Sequence, residues 1–155
     1  KITGAIPPEG ISHAAGSLLL TLCDPETGVF LAPDVDSAAL RGWLTFHTGA
    51  PIVSAEQADF ALGGWDALVP LDRFPIGTAE YPDRSTTLMV EVAGVDAPNA
   101  TLSGPGIKDT AQMALPDPVA CAGNAMLYPL GVDFFFTTGS QVAALPRSTQ
   151  IRAEA

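Results

Sequence analysis

Ile11, Ala14, Ala15, Leu18, Leu19 and Leu22 recur at helical spacing, which predicts an amphipathic helix over 12–23. The run Asp24-Pro25-Glu26-Thr27-Gly28 is dense in turn formers and stops it. Residues 29–32 read as a short buried strand. A second helix begins where Asp36 or Ser37 can cap it and carries Leu40, Trp43 and Leu44 on its apolar face. It ends at Thr48-Gly49-Ala50-Pro51, with glycine first and proline just beyond. Short strands at 52–53 and 59–62 follow, then a short helix within 64–71. Residues 86–92 alternate with the period of a strand: Leu88, Val90 and Val92 on one side, Thr87, Met89 and Glu91 on the other. A further strand at 100–103 closes on Gly104-Pro105-Gly106. Asp117 at an N-cap, with Pro118 at the first helical position, opens a helix through about 127. Residues 132–137 and 141–145, joined across Gly139-Ser140, make a hairpin.

Helices and strands alternate, and the hairpin comes last. The pattern predicts an α/β fold: one domain with a mixed sheet covered by helices on both faces. A length of 155 residues fits one such domain, and 47% hydrophobic against 15% charged residues is a globular composition. Charge narrows the picture further. Seven Lys and Arg against seventeen Asp and Glu give a net charge of −10. So acidic a surface repels phosphate backbones and anionic lipid heads, which argues against nucleic acid and membrane surfaces as partners. No apolar run reaches the roughly eighteen residues of a membrane span. Cys23 and Cys121 lie far apart, outside any Cys/His cluster with metal-ligand spacing. They read as two buried thiols in a reducing compartment, the cytoplasm, with a disulfide as the alternative. The opening Lys-Ile-Thr-Gly carries no initiator Met and no helix start signal, so upstream residues are expected to be missing.

Candidate chemistry is sparse. His47 follows Leu40, Trp43 and Leu44 on one helical face just before a turn, where it can cap the last carbonyls or, alternatively, serve catalysis or contact a ligand. His13 has less context still. The richest polar cluster runs from Thr78 to Ser85 and includes Glu80, Tyr81, Asp83 and Arg84 directly before a strand. It reads either as a turn with local hydrogen bonds or as a recognition surface, since interface centres favour Tyr and Arg. Lys108 after Gly104-Pro105-Gly106 suggests an anion cradle but fits no phosphate-loop spacing, so a tight turn is the plainer account. Arg147 offers a planar fork to an anion or an acidic partner. Asn124, amid small helix residues, suggests an interhelical hydrogen bond. No nucleophile–base pair or G-x-S-x-G elbow can be assembled from spacing.

Seven segments, in order, carry a resemblance. They are 18–33 (LLLTLCDPETGVFLAP), 46–51 (FHTGAP), 58–62 (ADFAL), 77–88 (GTAEYPDRSTTL), 102–107 (LSGPGI), 124–133 (NAMLYPLGVD) and 144–149 (ALPRST). Together they resemble the PhnH family, subunits of the bacterial carbon–phosphorus lyase system for phosphonate use. The family usually begins with a further helical segment ending in an Ala-Arg-Pro-Gly-like turn, which this sequence lacks. The resemblance implies an accessory, non-catalytic role, a homodimer, and assembly with the PhnG, PhnI and PhnJ subunits. That assembly transfers a phosphonate to the ribose of ATP with loss of adenine, ahead of C–P bond cleavage. It also implies a fold similar to the large domain of pyridoxal-phosphate aminotransferases, without their cofactor. Pyridoxal chemistry needs a Schiff-base lysine, and only Lys1 and Lys108 are present. Lys1 opens the sequence and Lys108 follows a Gly-rich turn rather than an apolar pocket, so no cofactor is expected; the resemblance assigns the catalytic machinery to other subunits, so it implies no catalytic residue here. The alternative is a direct binder of a phosphorylated ligand, with His47, Arg84, Arg147 and the 104–108 loop as its anion contacts.

Overall fold

A computed structural model describes residues 6–93 and 98–153. Helix α1 (His13–Leu22) starts at Ser12, whose hydroxyl accepts the Ala15 N–H at 3.0 Å. Strand β1 (Val29–Leu31) follows, then α2 (Ala38–Thr48). Of the two cap candidates Ser37 takes the role, accepting the Leu40 N–H at 3.0 Å. Asp36 instead binds Arg41, whose guanidinium holds that carboxyl below the usual carboxylate range. Gly49 ends α2 at φ 71°, a left-handed position where a side chain would be strained.

Next come β2 (Phe60–Gly64), α3 (Trp65–Leu68), β3 (Thr87–Glu91), β4 (Ala100–Ser103), β5 (Ala111–Met113), α4 (Pro118–Ala125), β6 (Asp133–Thr138), β7 (Gln141–Leu145) and β8 (Gln150–Ala153). The main sheet has the order β1-β2-β3-β6-β7; its first four strands are parallel, and β7 returns antiparallel to β6. The expected mixed sheet is thus present. The 52–53 segment contributes a single bridge, from Ile52 to Val29, beside β1.

Strand β3 is buried on both faces. Leu88 and Val90 pack with Ala61, Phe134 and Phe136; Met89 packs on the other side with Leu62, Leu19 and Leu44. A parallel strand inside an α/β sheet needs apolar groups on both faces, which accounts for methionine on what the sequence shows as the more polar side. Helices α1 and α2 cover the Met89 face. The opposite face departs from expectation. There α3 and α4 share the covering with a second, antiparallel sheet of order β5-β4-β8. Strands of three and four residues hold too few alternating positions to stand out, and β8 pairs with β4 from about fifty residues away.

Asn124 also corrects an expectation. It makes no interhelical bond; its side chain clasps the backbone of Val132, accepting from its N–H and donating to its C=O, each at 2.8 Å. Among the described residues, no helix is long and apolar enough to cross a membrane.

Cys23 and Cys121 are free and buried, and burial pushes each thiol up to about 12. At pH 8 only about one thiol in ten thousand is then the reactive thiolate. In the unfolded chain both ionise from about pH 9, so their contribution to stability falls as pH rises from there toward 12. A thiol-titrating disulfide reagent at pH 8 is expected to find two thiols in denaturant and almost none in the native protein. Rapid native labelling would contradict this burial.

Candidate functional site

The parallel strands define two edges, and the sequence candidates gather at the amino edge. Residues 77–86 form a closed excursion before β3. Thr78 and Tyr81 exchange backbone hydrogen bonds, the Tyr81 N–H also reaches the Thr78 hydroxyl at 3.0 Å, and Ile76 bridges to Ser85. Gly77 holds φ 83°, and a Cβ there would lie 2.6 Å from the Pro82 carbonyl oxygen, so the loop closes this tightly only on glycine. Glu80, Tyr81, Asp83 and Arg84 are exposed at its tip. The Arg84 guanidinium stacks 3.8 Å above the Tyr81 ring, a cation–π contact that presents the two side chains as one unit.

Arg147 joins this loop to the sheet. It follows β7, directly beside the first residue of β6. Its Nη2 lies 3.0 Å from Asp133 Oδ2, its backbone N–H donates to Asp133 Oδ1 at 2.8 Å, and its Nη1 donates to the Pro82 carbonyl. The guanidinium is therefore already committed to a carboxylate and a carbonyl. Across from it, Gly104 packs against the Ser148 and Thr149 backbone. Pro105, Tyr128, Arg147 and Ser148 line a cleft of about 280 Å³, with the exposed Lys108 three residues beyond Pro105. Tyr128 is 59% exposed and Met126 is 85% exposed, so the end of α4 adds apolar surface beside the loop.

His47 stands apart from this group. It is exposed in the last turn of α2, its ring 5.1 Å from Trp43 and 4.9 Å from Phe46. Helix α2 returns to the amino end of β1, three strand positions from β6, about 14 Å at the usual spacing. Three of the four candidate segments thus meet, and the fourth does not.

Sequence reasoning missed the opposite, carboxyl edge, where open α/β sheets usually hold their ligands. Glu91 ends β3 there, and its carboxylate accepts from the Ser12 N–H at 2.9 Å, the Ser12 hydroxyl at 2.6 Å and the buried Thr137 hydroxyl. Both oxygens are occupied in fastening α1 to the sheet. A cleft of about 260 Å³ beside them is lined by Trp65, Asn99 and Phe136, among others. Asn99 is itself taken up by the Leu115 backbone, at 2.8 and 2.9 Å. The only advance signal for Glu91 was an acidic residue at a strand end. Among the described residues, no group of three or more His, Cys, Asp or Glu is placed to hold a metal ion.

The arrangement presents an exposed stacked pair, an apolar helix end, and an arginine that braces the loop. Comparison with known proteins agrees with a subunit role for the relatives. The chain is 39% identical over 160 residues to the alpha-D-ribose 1-methylphosphonate 5-triphosphate synthase subunit PhnH of Rhizobium meliloti (strain 1021), covering 98% of this chain and 80% of that protein. It is 34% identical over 111 residues to the putative C-P lyase subunit protein HtxG of Stutzerimonas stutzeri, covering 66% of this chain and 55% of the relative. The family model described as bacterial phosphonate metabolism protein (PhnH) matches residues 1–152, and the chain belongs to that family.

Proposed function

We propose that this chain is an accessory, non-catalytic subunit of a carbon–phosphorus lyase assembly and supports organophosphonate catabolism through contacts rather than chemistry. The observation that carries the reading is the exposed Tyr81–Arg84 stack, braced by Arg147 and flanked by Tyr128 and Met126. Tyr, Met and Arg are the residues enriched where protein interfaces form. Glu80 and Asp83 supply the charged rim.

In this reading the partners are the PhnG, PhnI and PhnJ subunits and a second copy of the chain, in the cytoplasm. The complex as a whole transfers phosphonate to the ribose of ATP with loss of adenine. The chain contributes as a single domain whose fold is similar to the large domain of pyridoxal-phosphate aminotransferases, without that cofactor. Direct binding of a phosphorylated ligand at His47, Arg84, Lys108 and Arg147 has less support, because the Arg147 fork is already engaged and His47 lies on another part of the edge.

Mixed with the purified partner subunits, the chain is expected to co-elute with them in size-exclusion chromatography. Arg84→Ala removes one exposed side chain and should weaken that association about tenfold while leaving the thermal midpoint within a few degrees. Independent migration of the wild-type chain would sink the proposal. Unaltered affinity of Arg84→Ala would remove the Tyr81–Arg84 surface from it.

A further inference from the structure

Between α3, with the turn that follows it, and α4 runs an open trench of about 570 Å³. Its walls are largely apolar and include Trp65, Ile76 and Leu127. Its charged lining residues are all carboxylates: Asp66, Asp72 and Asp117. Asp117 is occupied in capping α4, accepting the Ala120 N–H at 3.1 Å. Asp66 and Asp72 are exposed, and neither takes part in an ion pair among the described residues. Arg73, next in sequence, turns away. Its guanidinium donates to the Ala67 and Leu68 carbonyls and lies 5.2 Å from the Phe30 and Phe74 ring centres. The trench therefore combines an apolar wall with a negative rim that no ion pair among the described residues neutralises.

The apolar surface does not stop at the trench. Beside Leu127, Val119 on α4 is 75% exposed and Met126, which caps its end, 85%. A small molecule seated among Trp65, Ile76 and Leu127 would leave those two side chains bare, whereas a polypeptide would cover them. We infer that the trench and the outer face of α4 receive a segment of a partner protein that carries an apolar anchor flanked by lysine or arginine. The inference rests on the reading of this chain as an assembly subunit and extends the partner surface beyond the 78–84 loop. The two areas adjoin, since Gly131, just after α4, donates to the carbonyl of Ile76 at 3.0 Å. The anchor fills the space between Trp65 and Leu127, and the cation lies beside Asp66 and Asp72, where the indole face also favours it. A second copy of this chain is the poorer occupant: with seven basic residues against seventeen acidic, it brings carboxylates to a carboxylate rim.

The test uses the full chain, the purified PhnG, PhnI and PhnJ subunits, and affinity measured at low and high salt. The variants are the double substitution Asp66→Lys with Asp72→Lys, and separately Leu127→Asp. Phe46→Asp on α2 serves as a control on a distant exposed apolar residue. The wild type and Phe46→Asp are expected to bind alike, with affinity falling as salt rises. Both trench variants should bind at least about tenfold more weakly, and the double variant should lose most of its salt dependence. Far-ultraviolet circular dichroism and the melting temperature establish that each variant is folded, since Asp66 and Asp72 are exposed. Equal affinity and salt slope for wild type and double variant would overturn the trench assignment while the assembly reading stands. Failure of the wild type itself to bind would remove the assembly reading and the trench with it. A change in the chain's own mass in solution on double substitution would show a second copy in the trench and overturn the proposal.

Discussion

Asn124→Ala is expected to cost the fold about 3 kcal/mol, although it deletes only a small amide. Among the described residues, that amide is the one side-chain partner of both backbone groups of Val132, at 2.8 Å each, where the chain leaves α4 and enters β6. Asn124 is 8% and Val132 1% exposed, so water does not readily replace the lost bonds. Leaving one buried group unpaired costs about 1–3 kcal/mol, and alanine leaves two. For a chain of this size each kcal/mol moves the melting temperature by about 2–4 °C, so a fall of about 6–12 °C is expected by calorimetry. Asn124→Asp provides the control. Its carboxylate can accept from the Val132 N–H but faces the Val132 carbonyl without a proton to donate. It should resemble alanine at pH 7 and recover toward wild type when acidified enough to protonate the new side chain. A midpoint unchanged by Asn124→Ala would show that Val132 does not depend on this clasp.

Glu91→Ala is the second large effect, expected at about 2–3 kcal/mol. The carboxylate collects three donors, two of them from Ser12 at the start of α1 and one from Thr137 in the adjoining strand β6. Thr137 is fully buried and keeps only a 3.3 Å contact to the Val90 carbonyl once Glu91 is gone. Glu91→Gln should cost less, about 1 kcal/mol, because one amide oxygen still accepts while the NH₂ group cannot. The effect has an address: the amino-terminal turn of α1 loses its fastening to the sheet. Hydrogen exchange at 13–19 should therefore accelerate more than exchange in α2 or β3. Equal acceleration across the three elements would contradict a local anchoring role.

These two residues also mark where the sequence stops being readable. Helices α1, α2 and α4 announce themselves through features within one or two turns: apolar spacing, Ser37 as a cap, Gly49 as a stop, and the Asp117-Pro118 start, whereas the Ser12 cap of α1 shows only in the structure. The 86–92 strand and the final hairpin follow from short-range alternation. Asn124 and Glu91 look ordinary at that range, because what they bind is supplied by the turn into β6 or by elements 46 and 79 residues away. The second sheet is hidden for the same reason. The candidate surface divides likewise. Tyr81 and Arg84 are three residues apart and visible as a cluster, whereas the brace from Arg147 to Pro82 spans 65 residues. The trench is least visible of all, since each of its aspartates sits beside a turn or helix start and passes for local capping.

The pairing of β4 has a consequence for how the chain is made. Its neighbour on one side, β5, arrives soon afterwards, with Leu102 opposite Ala111; its neighbour on the other, β8, pairs Ala100 with Ala153. Arg147, which braces the 78–84 loop, lies just before β8 in the chain. A chain made only as far as residue 146 therefore contains every strand of the main sheet but neither β8 nor the arginine that braces the loop. Completion of the far layer and of the loop proposed to meet other subunits falls within the same few codons, so translation itself orders the events: the surface is finished only after the strands behind it.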